Sequence, residues 1–155
     1  MTDAVIARLS DLGLTLPQAA APVAAYVPTV EAGGLLHVSG QLPFIDGQLV
    51  RGRLGENVTV EQGQAAARAC ALMLLAQVKA ALGGFDRVER VVKLGAFIAS
   101  TTDFTDQPKV ANGASELMVA AFGEAGKHAR SAVGVPVLPL GAAVEVDAIF
   151  ALRSS

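Results

Sequence analysis

The segment from Thr59 to Leu82 constrains the fold more than any other part of this chain. Thr59 followed three residues on by Gln62 is the signature of a helix start, and Gly83-Gly84 is a natural stop. Between them Ala66, Cys70, Met73, Leu74, Val78 and Ala81 recur at helical spacing, with Gln77 as a polar exception. A helix with one such face must bury it against a second layer. The chain supplies that layer at once. Val88 to Ala99 reads as a buried strand through Val91, Val92, Leu94, Ala96, Phe97 and Ile98.

The flanking segments extend the same scheme. Residues 3–13 read as a short amphipathic helix with Val5, Leu9 and Leu12 on one face and Gly13 as its end. Pro17 and Pro22 bracket an irregular link. Strands are expected at about 24–31 and 34–39 around a Gly33-Gly34 turn. Ser39-Gly40-Gln41-Leu42-Pro43 then breaks the strand, and 45–56 reads as a loop in which Asp46-Gly47 is a turn. A second helix over about 109–122 follows a loop containing Pro108, and strands at about 129–137 and 142–152 finish the chain. The order is β-β-α-β-α-β-β after a short N-terminal helix. This is an α+β class, a mixed β-sheet with two main helices packed on one face. Residues 1–155 read as one domain, with 1–19 as a helical extension.

Composition excludes several functions. Net charge is −2 and Lys/Arg form no block, which argues against nucleic acid as a partner. Apolar residues make up 52% and charged residues only 17%, too few to cover the surface of a lone subunit, so self-association is expected. No uninterrupted apolar run is long enough to span a bilayer and no secretory leader is visible, which makes cytoplasmic localisation, with no membrane partner, the expectation. Cys70 is the single cysteine, so no intramolecular disulfide forms and a buried packing thiol is expected. His37 and His128 are too few and too isolated for a metal site, and His128 is expected as a solvated residue at a strand edge. There is no phosphate-cradling glycine loop, and Ser39 does not sit in a nucleophile elbow.

The last two strands carry charges where an apolar segment ordinarily has none. Arg130 lies in His128-Ala129-Arg130-Ser131-Ala132-Val133, and Glu145 in Val144-Glu145-Val146-Asp147-Ala148. Such residues are seldom buried unless paired or holding a ligand. A guanidinium is a rigid fork suited to a carboxylate, and a desolvated glutamate can handle a proton. An edge-strand ion pair on a solvated face is the alternative.

Tyr26-Val27, Val38-Ser39-Gly40-Gln41-Leu42-Pro43, Asn112, Ala129-Arg130-Ser131, Leu138-Pro139 and Val144-Glu145-Val146-Asp147-Ala148-Ile149, in that order, resemble the RidA/YjgF family of reactive-intermediate deaminases, also labelled endoribonuclease L-PSP or translation initiation inhibitor. The likeness runs from about residue 20 to the end, and its most specific part is Arg-Ser followed, fifteen residues after the arginine, by Glu. It implies a chorismate-mutase-like fold, a homotrimer with sites between subunits, and hydrolysis of 2-imino or 2-enamino acids to 2-oxo acids and ammonia without metal or organic cofactor. By the same resemblance Arg130 and the backbone N–H of Ala132 hold the substrate carboxylate, and Glu145 activates water or shuttles the proton. The Gly40 carbonyl orients the imine, Ser39 supports that turn, and Tyr26 and Asn112 line the cleft. Tyr26 has a plain core role as its alternative, Ser39-Gly40 a β-bulge, and Asn112 a polar helix start. The chain departs from the pattern at Ala132, where many members have cysteine, in a longer loop between Phe104 and Asn112, and in its N-terminal helix. These departures point to a longer, chorismate-mutase-like subgroup. A non-catalytic module that binds a small carboxylate metabolite is the competing function, with an endoribonuclease behind it.

Overall fold

The computed structural model describes residues 3–21 and 25–154. In chain order the elements are α1 (Ala4–Asp11), β1 (Thr29–Ala32), β2 (Leu35–Gln41), β3 (Phe44–Ile45), β4 (Gln48–Leu49), α2 (Val60–Leu82), β5 (Val88–Ala99), α3 (Gln107–Phe122), β6 (Ala129–Val135) and β7 (Val144–Leu152). The main sheet has the order β1-β2-β7-β5-β6, with β5 and β6 parallel and the other neighbours antiparallel. The expected α+β arrangement, a mixed sheet with two main helices on one face, is what forms.

One face of the sheet is the core. Leu36, Val38, Leu94, Ala96, Ile98, Val144, Val146, Ala148 and Phe150 are all buried there. They meet Ala66, Cys70, Leu74 and Val78 of α2 and Val110, Ala114, Leu117 and Met118 of α3 in one cluster. The helices touch closely because small residues line their crossing. A Cβ on Gly113 would run into the backbone carbonyl of Gln64. The start of α2 is the capping box expected from sequence, with Thr59 and Gln62 bonded reciprocally at 3.1 and 2.9 Å. Gly83 ends the helix in the left-handed region at φ 77°, where a Cβ is costly.

Several boundaries differ from those expected. β1 begins at Thr29, because Pro28 offers only its carbonyl, which accepts from the Ser39 N–H at 2.9 Å; residue 24 of the expected strand lies outside those described. The loop over 45–56 contains the β3–β4 hairpin, closed by Asp46-Gly47 with both φ positive. β2 is not broken at Ser39 but runs on to Gln41. β6 stops before Pro136, which has no N–H to donate. Leu12 caps α1 rather than joining its buried face and is 49% exposed. By length and composition alone α2 is apolar enough to cross a membrane, with mean hydropathy 1.5 over its most apolar 18 residues, yet 61% of that stretch is buried inside this fold. Alanine explains both facts, since it raises hydropathy and permits close packing.

Candidate functional site

Arg130 is on β6 and its side chain reaches back to α3. Nη1 donates to Asn112 Oδ1 at 2.9 Å and to Ser115 Oγ at 3.1 Å, and Nη2 to the Pro108 carbonyl at 3.4 Å. Both Nη1 hydrogens are therefore spent inside the protein. Nε has no acceptor among the described residues and Nη2 spends one of its two hydrogens on Pro108, so one hydrogen on each is left for a ligand. The resemblance placed Asn112 on the cleft wall; here it is a guanidinium holder, and the polar helix-start alternative does not apply. Pro108 lies not in the expected loop but in the first turn of α3, which begins at Gln107 because proline's fixed φ suits a helix start; its carbonyl forms one wall here. Ala132, two residues along β6, packs its methyl against the core, leaving only its backbone for a ligand.

Glu145 is on β7. Between Val38 and Gln41 the β2–β7 register slips, three steps on β2 spanning two on β7 from Ala148 to Val146. Ser39 and Gly40 thus form a β-bulge, as the sequence alternative had it. The bulge serves the site as well as the strand. Gly40 lies directly beneath Glu145, and a Cβ there would sit 3.0 Å from Cδ of Glu145. Ser39 Oγ donates to the Val27 carbonyl at 2.9 Å, tying the bulge to the bend that carries Tyr26. Tyr26 itself is 50% exposed and not a core residue. Burial, and then the nearby Asp147 carboxylate, push Glu145 above the ordinary carboxylate range. Asp147 is raised too, by burial, though the Gly95 N–H and Lys93 oppose the shift.

These two groups do not meet within one chain. Arg130 pairs with Leu94, whereas Glu145 pairs with Phe97, three residues further along an uninterrupted part of β5. Side chains alternate along a strand, so an odd separation puts Arg130 on the helix face and Glu145 on the open face. They are also two strand spacings apart, roughly 10 Å. Arg130, Asn112 and Ala132 lie together at the β6 edge of the sheet. Ser39, Gly40 and Glu145 lie together across β2 and β7, with Tyr26 next to the Val27 that Ser39 holds.

Two residues that sequence reasoning missed complete the first group. His128 is half-buried rather than solvated: Nδ1 is 2.6 Å from the Gly126 carbonyl and Nε2 is 2.8 Å from Ser115 Oγ. Burial, ahead of the repulsion by Arg130, pulls its pKa below the ordinary value, against the Gly126 hydrogen bond. The signals were there. His128 is two residues before Arg130 in the strand period, and Ser115 is one helical turn beyond Asn112. Among the described residues no His/Cys/Asp/Glu group is arranged to hold a metal. A groove of about 1160 Å³ under residues 12–20 and the β3–β4 hairpin is lined by none of the candidate residues.

The family model described as "YjgF/chorismate_mutase-like, putative endoribonuclease" matches residues 6–152. The chain belongs to the YjgF/chorismate mutase-like family. Protein TCP17 of Trypanosoma cruzi, a family relative, is 57% identical over 152 residues, covering 97% of this chain and 95% of that protein. A "putative endoribonuclease" of Shewanella oneidensis superposes with TM-score 0.93 at 36% identity, covering 97% of this chain and 100% of that one. RidA from an Antarctic Psychrobacter superposes with TM-score 0.60 at 29% identity, covering 86% and 94% respectively. The chain is thus more similar to the Shewanella protein than to that RidA, in sequence and in structure.

Proposed function

We propose that this protein hydrolyses 2-imino and 2-enamino acids to 2-oxo acids and ammonia, in clefts completed by a second copy of the chain. The observation that carries the reading is the division of the site: a guanidinium with a free fork in one half, a carboxyl of raised pKa over a glycine in the other. Only a neighbouring copy can face one with the other. The exposed β6 edge, with Val133 44% exposed, offers a surface for such a neighbour. A ring of three copies forms three equivalent clefts, in keeping with the charge-poor composition.

The chemistry asks little of the protein. The substrate carboxylate seats on Nε and Nη2 of Arg130, with the Ala132 N–H as a second donor. The Gly40 carbonyl accepts from the iminium N–H and fixes its face. Water adds to the electrophilic carbon while Glu145 takes its proton; the same carboxyl returns that proton to nitrogen, and ammonia leaves as the carbonyl forms. In sum, R–C(=NH2+)–COO− and H2O give R–CO–COO− and NH4+. An enamine first takes a proton at carbon. Orientation and one proton-handling group are the main needs, because the iminium carbon is already activated.

The test generates 2-iminopropanoate in situ with an amino-acid oxidase and follows its loss by semicarbazide trapping. Wild type should accelerate the loss and Arg130→Ala should not. Equal rates with and without wild type, repeated with bulkier imino acids, would refute the proposal. Light scattering should give three times the 15.8 kDa chain mass.

A further inference from the structure

We propose that Ser115 and His128 are positioning residues that hold Arg130 ready for its carboxylate, an inference that rests on the reading of Arg130 given above. Geometry fixes the direction of every hydrogen in the relay. The Gly126 carbonyl can only accept, so the Nδ1 atom 2.6 Å away carries the imidazole proton. Neutral His128 then has an acceptor at Nε2, 2.8 Å from Ser115 Oγ, and the Ser115 hydroxyl donates to it. With its hydrogen so committed, Ser115 Oγ turns a lone pair to Nη1 of Arg130 at 3.1 Å. Asn112 Oδ1 takes the other Nη1 hydrogen at 2.9 Å. Two fixed acceptors on one nitrogen set the plane of the guanidinium, and so set where Nε and Nη2 point.

A mid-helix serine ordinarily bonds back to its own helix and prefers no particular outside partner. Here the imidazole removes that freedom. Without His128 the hydroxyl can rotate and offer its hydrogen, rather than its lone pair, towards the cation. The arginine would then keep its charge but lose its preset direction, and the ligand would have to order it. Losing this one charge-assisted bond should weaken carboxylate binding about tenfold, or ~1.4 kcal/mol.

Pyruvate is the probe, its affinity measured by calorimetry on the intact oligomer. Ser115→Ala and His128→Phe should each weaken pyruvate binding about tenfold, and Ser115→Thr, which keeps the hydroxyl, should stay within about twofold of wild type. Because both residues act through one oxygen, the double variant should bind no worse than either single variant. For imine hydrolysis KM should rise with kcat held within about twofold, a split that a general loss of packing would not produce. If His128→Phe fails to fold, the contrast of Ser115→Ala with Ser115→Thr still decides. A second readout needs no ligand: only two histidines are present, and nitrogen NMR should find His128 protonated at Nδ1. Wild-type affinity in Ser115→Ala, an additive double variant, or a proton on Nε2 at neutral pH would overturn the inference. If wild type and Arg130→Ala alike bind no pyruvate, the functional reading itself falls and the inference with it. That result is distinct from an Arg130-dependent affinity that ignores Ser115.

Discussion

Replacing Gln77 with leucine should lower the melting temperature by about 4–8 °C, although leucine has nearly the same volume and a better helix propensity. Gln77 is 3% exposed on α2 and spends both Nε2 hydrogens, one on the Ala20 carbonyl at 2.8 Å and one on Gln41 Oε1 at 3.3 Å. Gln41 is itself 6% exposed, and its Nε2 donates to the Ser39 carbonyl at 3.0 Å. The chain of amides thus runs from the N-terminal strap through the helix to the bulge under Glu145. Leucine strands two acceptors unequally. Ala20 is exposed and water replaces the lost donor, whereas Gln41 Oε1 is left in the core at a cost of about 1–3 kcal/mol. Taking about 2 kcal/mol, and roughly 2–4 °C per kcal/mol for a chain of this size, gives the stated shift. Scanning calorimetry at fixed protein concentration measures it, since the melting point of an oligomer depends on concentration. A shift below about 1 °C would show that the Gln41 carbonyl is not stranded and would refute the argument. The double variant Gln41→Leu with Gln77→Leu provides the internal check. Removing both partners should cost less than the sum of the single changes, because no amide is left facing another's vacancy.

Two further outcomes follow from the half-site around Glu145. Folding raises the Glu145 pKa above the ordinary 4.5, so the native state binds more protons than the unfolded chain just above that pH, and stability falls as pH rises through the window. Glu145→Gln removes the charge: it should abolish imine hydrolysis, leave pyruvate binding intact, and melt higher than wild type at neutral pH, the difference vanishing below about pH 4.5. An equal or lower melting point at neutral pH would contradict the sign. Gly40→Ala should cut turnover by about 10- to 100-fold, because its methyl would sit 3.0 Å from the Glu145 carboxyl carbon. The backbone at Gly40 is not in the left-handed region, so the melting point should move little. Turnover at the wild-type rate would show that Glu145 can shift without consequence.

Local signals in the sequence were read well where one physical rule governs a segment. The Thr59/Gln62 box and the Gly83 stop each follow from unsatisfied groups at a helix end, and both stand as read. Val88–Ala99 was legible to the residue because its core-facing positions Val91, Leu94, Ala96 and Ile98 are all apolar, while Glu89, Arg90 and Lys93 fall at exposed ones. The β3–β4 hairpin was not, as each strand has only two residues, too short for any period to register even though its Asp-Gly turn was visible. Gln77 looked like a blemish in an apolar face and proved to be the donor that a buried amide network requires. His128 looked solvated because its strand is an edge, but α3 comes back over that edge and supplies Ser115.

The split of the site between faces was illegible for a more basic reason. Arg130 and Glu145 lie on different strands, and spacing along the chain says nothing about their relative parity, which is fixed by where each pairs on β5. One residue of slip in either pairing would reverse it. The bulge at Ser39-Gly40 shows how such a slip is used. By adding a residue to β2 it lets Val38 and Gln41, an odd distance apart, both face the core. In doing so it leaves Gly40 beneath Glu145 with no side chain between them. The same insertion therefore buries the amide that anchors the bulge and clears the space that the carboxyl occupies, so the half-site around Glu145 is a consequence of the way this strand satisfies its core.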